Sequence, residues 1–541
     1  MFLPELCGAE RRPPRKMVDS PVENIKDGGG FARKASRVSF ATLISRILGY
    51  IRDMLIANFF GATMAADAFF VAYRIPNLLR KLLGEGSLST SFIPVYTQYL
   101  TTGKRDSSRE LLRAALGIFG TVFIILTAGG IILAPQLVSL IAPGFRSDPE
   151  KFLLTVRLTR IMFPFLIAIG LGAITLGILN SRSRFFIPAI APCMLSISEI
   201  FFILVVVRYV SPPIRALAYG VVVGGFGQLL VQLVPVLKME KKLIPSLNIS
   251  HPGIRKIGRL MLPAIAGLSI MQVNSFVDTI CATLLEAGSV THLYYGNRLM
   301  QFPLALFGTA VATVMLPQMS RHAAGNDLAS LKEAVSVSLR SVSFLILPAS
   351  AGLLVFGGPI VRLLFERGLF TPEDTAATSF VLAFYACGLI FYSGVKIMAG
   401  AFHSMQDTKT PVKVASIAMI INVILNIIVV TVEPVRVLLS SAGLAGATAA
   451  ASAVNFLLLI AVFRIRFGLI GGKAVFRSVA KHLIASFILG FFLYYASRYT
   501  APWPDYASVP AVIAGGVALY LGISRLLAVP ELEFAGEILA G

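Results

Sequence analysis

Long apolar runs separated by short polar segments dominate the chain from about residue 37 onward. A membrane-spanning helix needs roughly 20 predominantly apolar residues. Fourteen candidate runs meet or approach that length, at about 37–60, 64–100, 109–141, 152–179, 186–207, 214–237, 257–285, 290–319, 335–357, 376–402, 411–432, 439–463, 476–497 and 506–527. The second run is too long for one straight helix. Pro76 and the pair Gly84 and Gly86 predict a kink or break within it. The expected fold class is an all-α polytopic membrane protein with about 14 transmembrane helices.

The chain matches itself at an offset of 223 residues. Pro94 falls on Pro317, Val138 on Val361, Leu140 on Leu363, Pro149-Glu150 on Pro372-Glu373, Ser181 on Ser404 and Pro188 on Pro411. One coincident proline means little, but the same ungapped offset at separated places implies an internal repeat. It relates spans 1–6 to spans 7–12. Six is even, so both halves insert in the same sense. That predicts two parallel six-helix repeats about a pseudo-twofold axis along the membrane normal, plus two extra C-terminal helices. The expected organisation is a disordered basic tail over 1–36, an N-lobe over 37–240, a C-lobe over 254–465, and the extra pair over 476–527.

Composition agrees with a lipid environment. Of 541 residues, 56% are hydrophobic and 14% charged, where a soluble domain carries about 25% charged residues. The net charge of +21 does not point to nucleic acid, because the basic residues sit in short loops rather than on one face. They read instead as topology signals. One set of alternate loops holds most of them, including Lys104, Arg105, Arg182, Arg184, Lys238, Lys241, Arg255, Lys256, Lys409 and Arg466. The other set holds Arg146, Lys151, Arg208, Arg215, Arg367, Arg436 and Arg498. The basic tail shares a side with the first set, so both termini are expected in the cytoplasm. The tail lacks the apolar core of a cleavable signal, and translation from Met17 would remove much of it. Cys7, Cys193, Cys281 and Cys387 lack metal or redox spacing. The five histidines are dispersed, and no metal or catalytic spacing is found, which argues against an enzyme.

Charges inside the first two spans break the hydropathy rule. They are Arg46, Arg52, Asp53, Asp67, Arg74, Arg80, Lys81 and Glu85. A lipid-facing Arg or Asp at a helix centre costs about 2.5–3.5 kcal/mol, and four would cost roughly 10–14 kcal/mol, comparable to a whole protein's stability. These residues must face a wet cavity or pair with one another. Asp67, Arg74, Lys81 and Glu85 share one face of an unbroken helix. Asp67 with Arg74, and Lys81 with Glu85, are natural pairs, and positive charge remains in surplus. Guanidinium groups grip phosphate oxygens through a planar fork, so the cavity suits an anionic, phosphate-bearing substrate. In the second half the intramembrane charges are Asp278, Arg298 and Lys396. Arg298 can meet the first-half arginines across a central cavity. Asp278, with Asn422 and Asn426 on one helix and Thr448 and Ser452 on another, forms a candidate Na⁺ site, against the alternative of ordinary interhelical hydrogen bonds.

Ser45-Arg46-Ile47-Leu48-Gly49-Tyr50-Ile51-Arg52-Asp53, then Phe60-Gly61-Ala62, Asp67-Ala68-Phe69, Ile75-Pro76-Asn77-Leu78-Leu79-Arg80-Lys81 and Glu85-Gly86 resemble the MurJ (MviN) lipid II flippases. Tyr294-Tyr295, Arg298-Leu299-Met300, Phe302-Pro303 and Gln406-Asp407-Thr408-Lys409-Thr410-Pro411-Val412 extend the resemblance, which runs from about residue 37 to the end. This family belongs to the multidrug/oligosaccharidyl-lipid/polysaccharide exporter superfamily. The resemblance implies two lobes around a cationic cavity that holds a diphosphate–sugar head, with spans 13 and 14 forming a groove for the polyprenyl tail. By matched position it implies Arg46, Arg52, Arg80 and Arg298 as essential cavity arginines and Asp53, Asp67 and Glu85 as essential acids; Lys81 stands where the family has a second arginine. It also implies Na⁺ at Asp278, Asn422, Asn426, Thr448 and Ser452. Asn297 and Gln301 replace acidic residues found beside this arginine in some members. The expected activity is lipid II transfer between leaflets of a bacterial inner membrane, with membrane lipids and lipid II as partners and no resident cofactor. One chain holds both halves of the cavity, so a monomer suffices. The nearest rivals are an exporter of another polyprenyl-linked oligosaccharide, an exporter of cationic drugs, and a membrane enzyme acting on lipid diphosphates.

Overall fold

A computed structural model describes residues 28–102, 105–240 and 243–532; most of the expected tail, residues 1–27, lies outside them. The first lobe contains α1 (Gly28–Phe60), α2 (Met64–Leu79), α3 (Ser89–Thr101), α4 (Arg105–Ile132), α5 (Ala134–Ile141), α6 (Pro149–Met162), α7 (Phe165–Ser181), α8 (Phe186–Ile190), α9 (Cys193–Leu204) and α10 (Ile214–Met239). α11 (Pro252–Thr283) joins it to the second lobe: α12 (Ser289–Pro303), α13 (Thr309–Ala324), α14 (Leu328–Phe365), α15 (Pro372–Ser404), α16 (Lys409–Thr431) and α17 (Glu433–Phe467). α18 (Gly472–Tyr499) and α19 (Asp505–Leu526) follow.

Among the described residues, eleven helical segments are long and apolar enough to cross a bilayer, with α6–α7, α8–α9 and α12–α13 each counted as one, or twelve when the bent α11 is added. The expected fourteen is not reached by that measure. α1 carries Arg46, Arg52 and Asp53 in its middle, and α2 ends after 16 residues at Leu79. The break expected in the second span is a π-helical stretch, Arg80–Leu88, containing both Gly84 and Gly86. α1 starts at Gly28, so helix covers the last part of the expected tail.

The 223-residue repeat is visible in the backbone. A second π-helical stretch, Leu304–Gly308, separates α12 from α13 as the first separates α2 from α3. Pro149 and Pro372 each open a helix, where a missing N–H costs nothing. The residue before each supplies the cap: Asp148 accepts from the Lys151 amide, and Thr371 forms a capping box with Asp374.

α11 touches both lobes and bends by 43° between Ser269 and Gln272. Its first half leans on the first lobe: Lys256 bonds Gln98 at 2.8 Å, and Leu268 packs against Gly86. Its second half holds Asp278 against Asn426 of α16 at 2.7 Å. Before α11, the connecting segment is strapped to the first lobe. Glu240 accepts from Arg109 and Arg182, and the Ser246 amide donates to the Arg113 carbonyl at 2.9 Å.

α18 and α19 pack on α14 through Phe344, Phe356, Leu489, Val512 and Tyr520. Both ends are pinned. Arg362 of α14 holds Asp505 through two hydrogen bonds of 2.6 and 2.8 Å. At the other end, Glu531 accepts from Ser478 at 2.8 Å and lies 3.3 Å from His482 and 3.6 Å from Arg340. The extra pair is therefore attached to the second lobe.

Candidate functional site

At one end of the bundle the lobes are in tight contact. The Leu369 amide donates to the Asn58 carbonyl at 2.9 Å. Gly144 packs on the Thr283 backbone, Gly368 on Asn58 and Gly61 on Leu369, approaches that leave no room for a Cβ. Gly61 has φ +55, a left-handed turn that glycine adopts without steric cost.

Asp67 is the centre of this closed end. It is 1% exposed. Its carboxylate accepts from the amides of Gly288 and Thr291 at 2.8 and 3.0 Å, from the Thr291 hydroxyl at 2.8 Å and from Lys151 at 2.9 Å. A first-lobe carboxylate thus caps the N-terminus of the second-lobe helix α12, where the helix dipole favours negative charge. This corrects two expectations. Asp67 does not stand in the cavity wall, and it does not pair with Arg74. Seven residues are two turns, about 10.5 Å along the axis, beyond ion-pair reach. Lys151, expected to be a topology signal in a loop, is its partner.

Away from this end, three adjoining chambers of about 170, 190 and 270 Å³ lie between the lobes; Arg74 and Tyr294 line the first two, Tyr73 the second and third, and Arg298 the first and third. Among the described residues, six basic side chains line them: Arg46, Arg52, Arg74, Arg80, Lys81 and Arg298. Arg46, Lys81 and Gln301, farther from the closed end, are exposed.

An alternating chain of charge crosses the lobe interface here. Arg52 of α1 binds Asp53 Oδ1 through Nε at 3.0 Å and Nη2 at 2.7 Å. Asp53 is fully buried, and its other oxygen lies 2.8 Å from Arg298 Nε of α12. Glu199 of α9 lies 3.6 Å from Arg52 Nε. Arg298 also sits over the Tyr50 ring, 5.0 Å from its centroid, a cation–π arrangement. Asp53 is therefore the shared counter-charge that seats two arginines. Arg80 is held by Asn77 at 2.8 Å, and Arg74 donates to Ser275. The Glu85 side chain lies outside the described ones, so its expected pairing with Lys81 is not described.

Sequence reasoning missed Glu199. It is 2% exposed, and its Oε1 has no hydrogen-bond partner. The available signal was a single carboxylate inside an otherwise apolar span. Even with Glu199, Asp53 and Asp278 counted, the six bases leave positive charge in excess.

The second cluster lies on the other side of Arg74. Asp278 accepts from Asn426 at 2.7 Å and from Thr448 at 3.5 Å; Asn426 donates also to Asn422 Oδ1 at 3.1 Å, and Asn422 to Thr448 at 3.3 Å. Asn422 and Asn426 are both fully buried, and Asn426 Oδ1 has no partner. An orphaned amide oxygen beside a carboxylate, a second amide oxygen and a hydroxyl fits a hard cation with oxygen ligands. Ser452, one turn along α17, is not hydrogen-bonded to the cluster. No group of three or more His, Cys, Asp or Glu that could hold a metal occurs among the described residues.

The family model described as "Lipid II flippase MurJ" matches residues 56–513. The chain belongs to the lipid II flippase MurJ family. Curated relatives agree over nearly full length. A probable lipid II flippase MurJ of Vibrio cholerae is 35% identical over 509 residues, 91% of this chain and 95% of the relative. Its counterpart in Rhizobium meliloti is 35% identical over 515 residues, 91% and 93% of the two chains. A solved structure of lipid II flippase MurJ in an inward closed conformation superimposes with a TM-score of 0.76 at 27% identity, covering 91% of this chain and 98% of that one. An inward-facing multidrug resistance MATE family transporter of the MOP superfamily shares the fold at TM-score 0.65 and 13% identity. For a family member, then, the two-lobed all-helical membrane architecture is established.

Proposed function

We propose that this protein moves lipid II from the cytoplasmic to the periplasmic leaflet of a bacterial inner membrane by alternating access. The observation that carries this reading is a cavity between the lobes with six basic side chains in its walls, closed at one end by the Asp67 cluster. The basic loops face the cytoplasm, with both termini, and the closed end faces the periplasm. The diphosphate of the cargo replaces water on Arg46, Arg52, Arg80 and Arg298, with Arg74 and Lys81 adding charge. Asp53 holds Arg52 and Arg298 so that their remaining N–H donors reach the cargo. The polyprenyl tail stays in lipid beside α18 and α19, which travel with the second lobe. Parting of the closed end then exposes the head outside.

No covalent bond changes in this cycle, so no catalytic residue is required. Na⁺ at Asp278, Asn422, Asn426 and Thr448, with Ser452 one turn away, supplies a means of resetting it. A charge crossing the membrane potential is worth about 2.3 kcal/mol per 100 mV. A single chain contains the whole cavity and works as a monomer.

The test is leaflet-resolved accessibility of lipid II in cells depleted of the native protein and carrying Arg52→Ala or Arg298→Ala. Lipid II should accumulate on the cytoplasmic side and the cells should lyse. Normal outward lipid II in cells lacking the protein would end the proposal.

A further inference from the structure

Arg74 and Asp278 come from different lobes but line the same chamber of about 170 Å³, together with Ser275, Thr279 and Tyr385. Arg74 lies on α2. Its guanidinium donates to Ser275, and Ser275 is one turn before Asp278 on the same face of α11. Both side chains face the same chamber, so a guanidinium and a carboxylate share one small space. Asp278 accepts hydrogen bonds from Asn426 and Thr448. Arg74 thus contributes charge to Asp278, while Ser275 seats it. The same guanidinium lines the neighbouring chamber with Lys81, Asn77 and Tyr294. It stands between the Asp278 cluster and the cationic cavity.

We propose that Arg74 is the resident counter-charge of the Asp278 cluster, and that it yields this place to an alkali cation when it turns to an anionic cargo. The proposal rests on the two readings above, the oxygen-liganded cation site and the diphosphate-bearing cargo. One guanidinium cannot neutralise Asp278 and grip a diphosphate at full strength together. A diphosphate that draws Arg74 away leaves Asp278 as a carboxylate beside the orphaned Asn426 oxygen, and a cation enters more tightly. Linkage makes the effect reciprocal: the cation releases Arg74 and tightens the anion by the same factor. The Arg74–Ser275 bond also spans the two lobes, so its release loosens a tether inside the cavity. Occupancy of the cation site and of the cargo site is thereby coupled through one guanidinium.

The experiment is equilibrium binding of radiolabelled sodium to the purified full chain in nanodiscs, with and without inorganic pyrophosphate as the anionic probe. In the native protein pyrophosphate tightens sodium binding several-fold. Arg74→Gln binds sodium roughly tenfold more tightly without pyrophosphate, inside the ~5–150-fold range of site-to-site coupling, and no longer responds to pyrophosphate. Arg74→Lys keeps the charge and behaves more like the native protein. Ser275→Ala removes the seat and shifts affinity the same way by a smaller factor; it carries the test if Arg74→Gln is not monodisperse. Asp278→Asn abolishes saturable binding. Unchanged or weaker sodium binding in Arg74→Gln or Ser275→Ala, or a pyrophosphate effect that persists in Arg74→Gln, overturns the coupling while leaving the cation site intact. Sodium binding by Asp278→Asn at native affinity, or none by native and Arg74→Gln protein alike, overturns the cation reading itself.

Discussion

Asp67→Ala tests whether the closed end is held by one carboxylate. The substitution removes the acceptor for two amides at the start of α12, for the Thr291 hydroxyl and for Lys151. Hydrogen bonds to a charged group contribute about 1.5–3 kcal/mol each, without simple additivity. Removing one partner of a buried ion pair costs about 3–5 kcal/mol, because the other charge is left uncompensated. The Lys151 side chain is 9% exposed and is left in that position. A loss of about 3–5 kcal/mol from the closed arrangement shifts the closed-to-open ratio by roughly two to three and a half orders of magnitude, at 1.4 kcal/mol per factor of ten. Spin labels at Thr63 and Glu286, both exposed and on opposite lobes, report the separation by pulsed dipolar spectroscopy after replacement of the native cysteines. Native protein should give one short distance, and Asp67→Ala should add a longer population. Lys151→Met should do the same in part, since it leaves Asp67 buried without its cation. A distance distribution in Asp67→Ala identical to the native one, in folded protein, would refute the assignment of this cluster as the closing contact.

Other expectations follow from the same geometry. Gly61→Ala forces a Cβ into a left-handed turn, at about 1–2 kcal/mol, and against the Leu369 carbonyl; the same labels should show a looser closed end and thermal melting should begin earlier. Glu531→Ala strips a partner from Ser478, His482 and Arg340, costing about 3 kcal/mol or more, and amide exchange should quicken across the first turns of α18. Asp505→Ala breaks a half-exposed pair with Arg362 and should cost about 1 kcal/mol or less by the same measurement. Outside the membrane, the Asp407 carboxyl is held below its ordinary value of 3.8 by the Thr410 hydroxyl and amide, aided by Arg466. A depressed carboxylate stabilises above its unfolded pKa, and that contribution is lost as pH falls through the folded one. Asp407→Asn should therefore melt earlier than native protein at neutral pH and converge with it well below pH 3.8; a gap that persists at low pH would contradict the charge-based account.

Much of this architecture was legible in the sequence because it depends on local chemistry. Apolar run length marks the rods, since bilayer thickness sets how many residues a span needs. The 223-residue offset marks the two lobes. It works because capping is local: Asp148-Pro149 and Thr371-Pro372 each start a helix in the same place in the two repeats. The intramembrane charges on α1 and α2 marked the cavity, since lipid does not tolerate them. Which charge meets which could not be read the same way. Helical phase assigns a face, not the neighbour that covers it, and the π-helical stretch at Arg80–Leu88 alters the phase beyond it. Asp67 and Arg74 share a face in sequence, yet one caps a helix of the opposite lobe and the other turns toward Ser275 and Asp278. Lys151 and Glu199 look like a loop cation and a stray carboxylate until folding brings them to Asp67 and Arg52. The sequence alone determined that charge must be buried and compensated. Only tertiary packing decided the partners, because ion pairs and caps act over a few ångströms between segments that are distant along the chain.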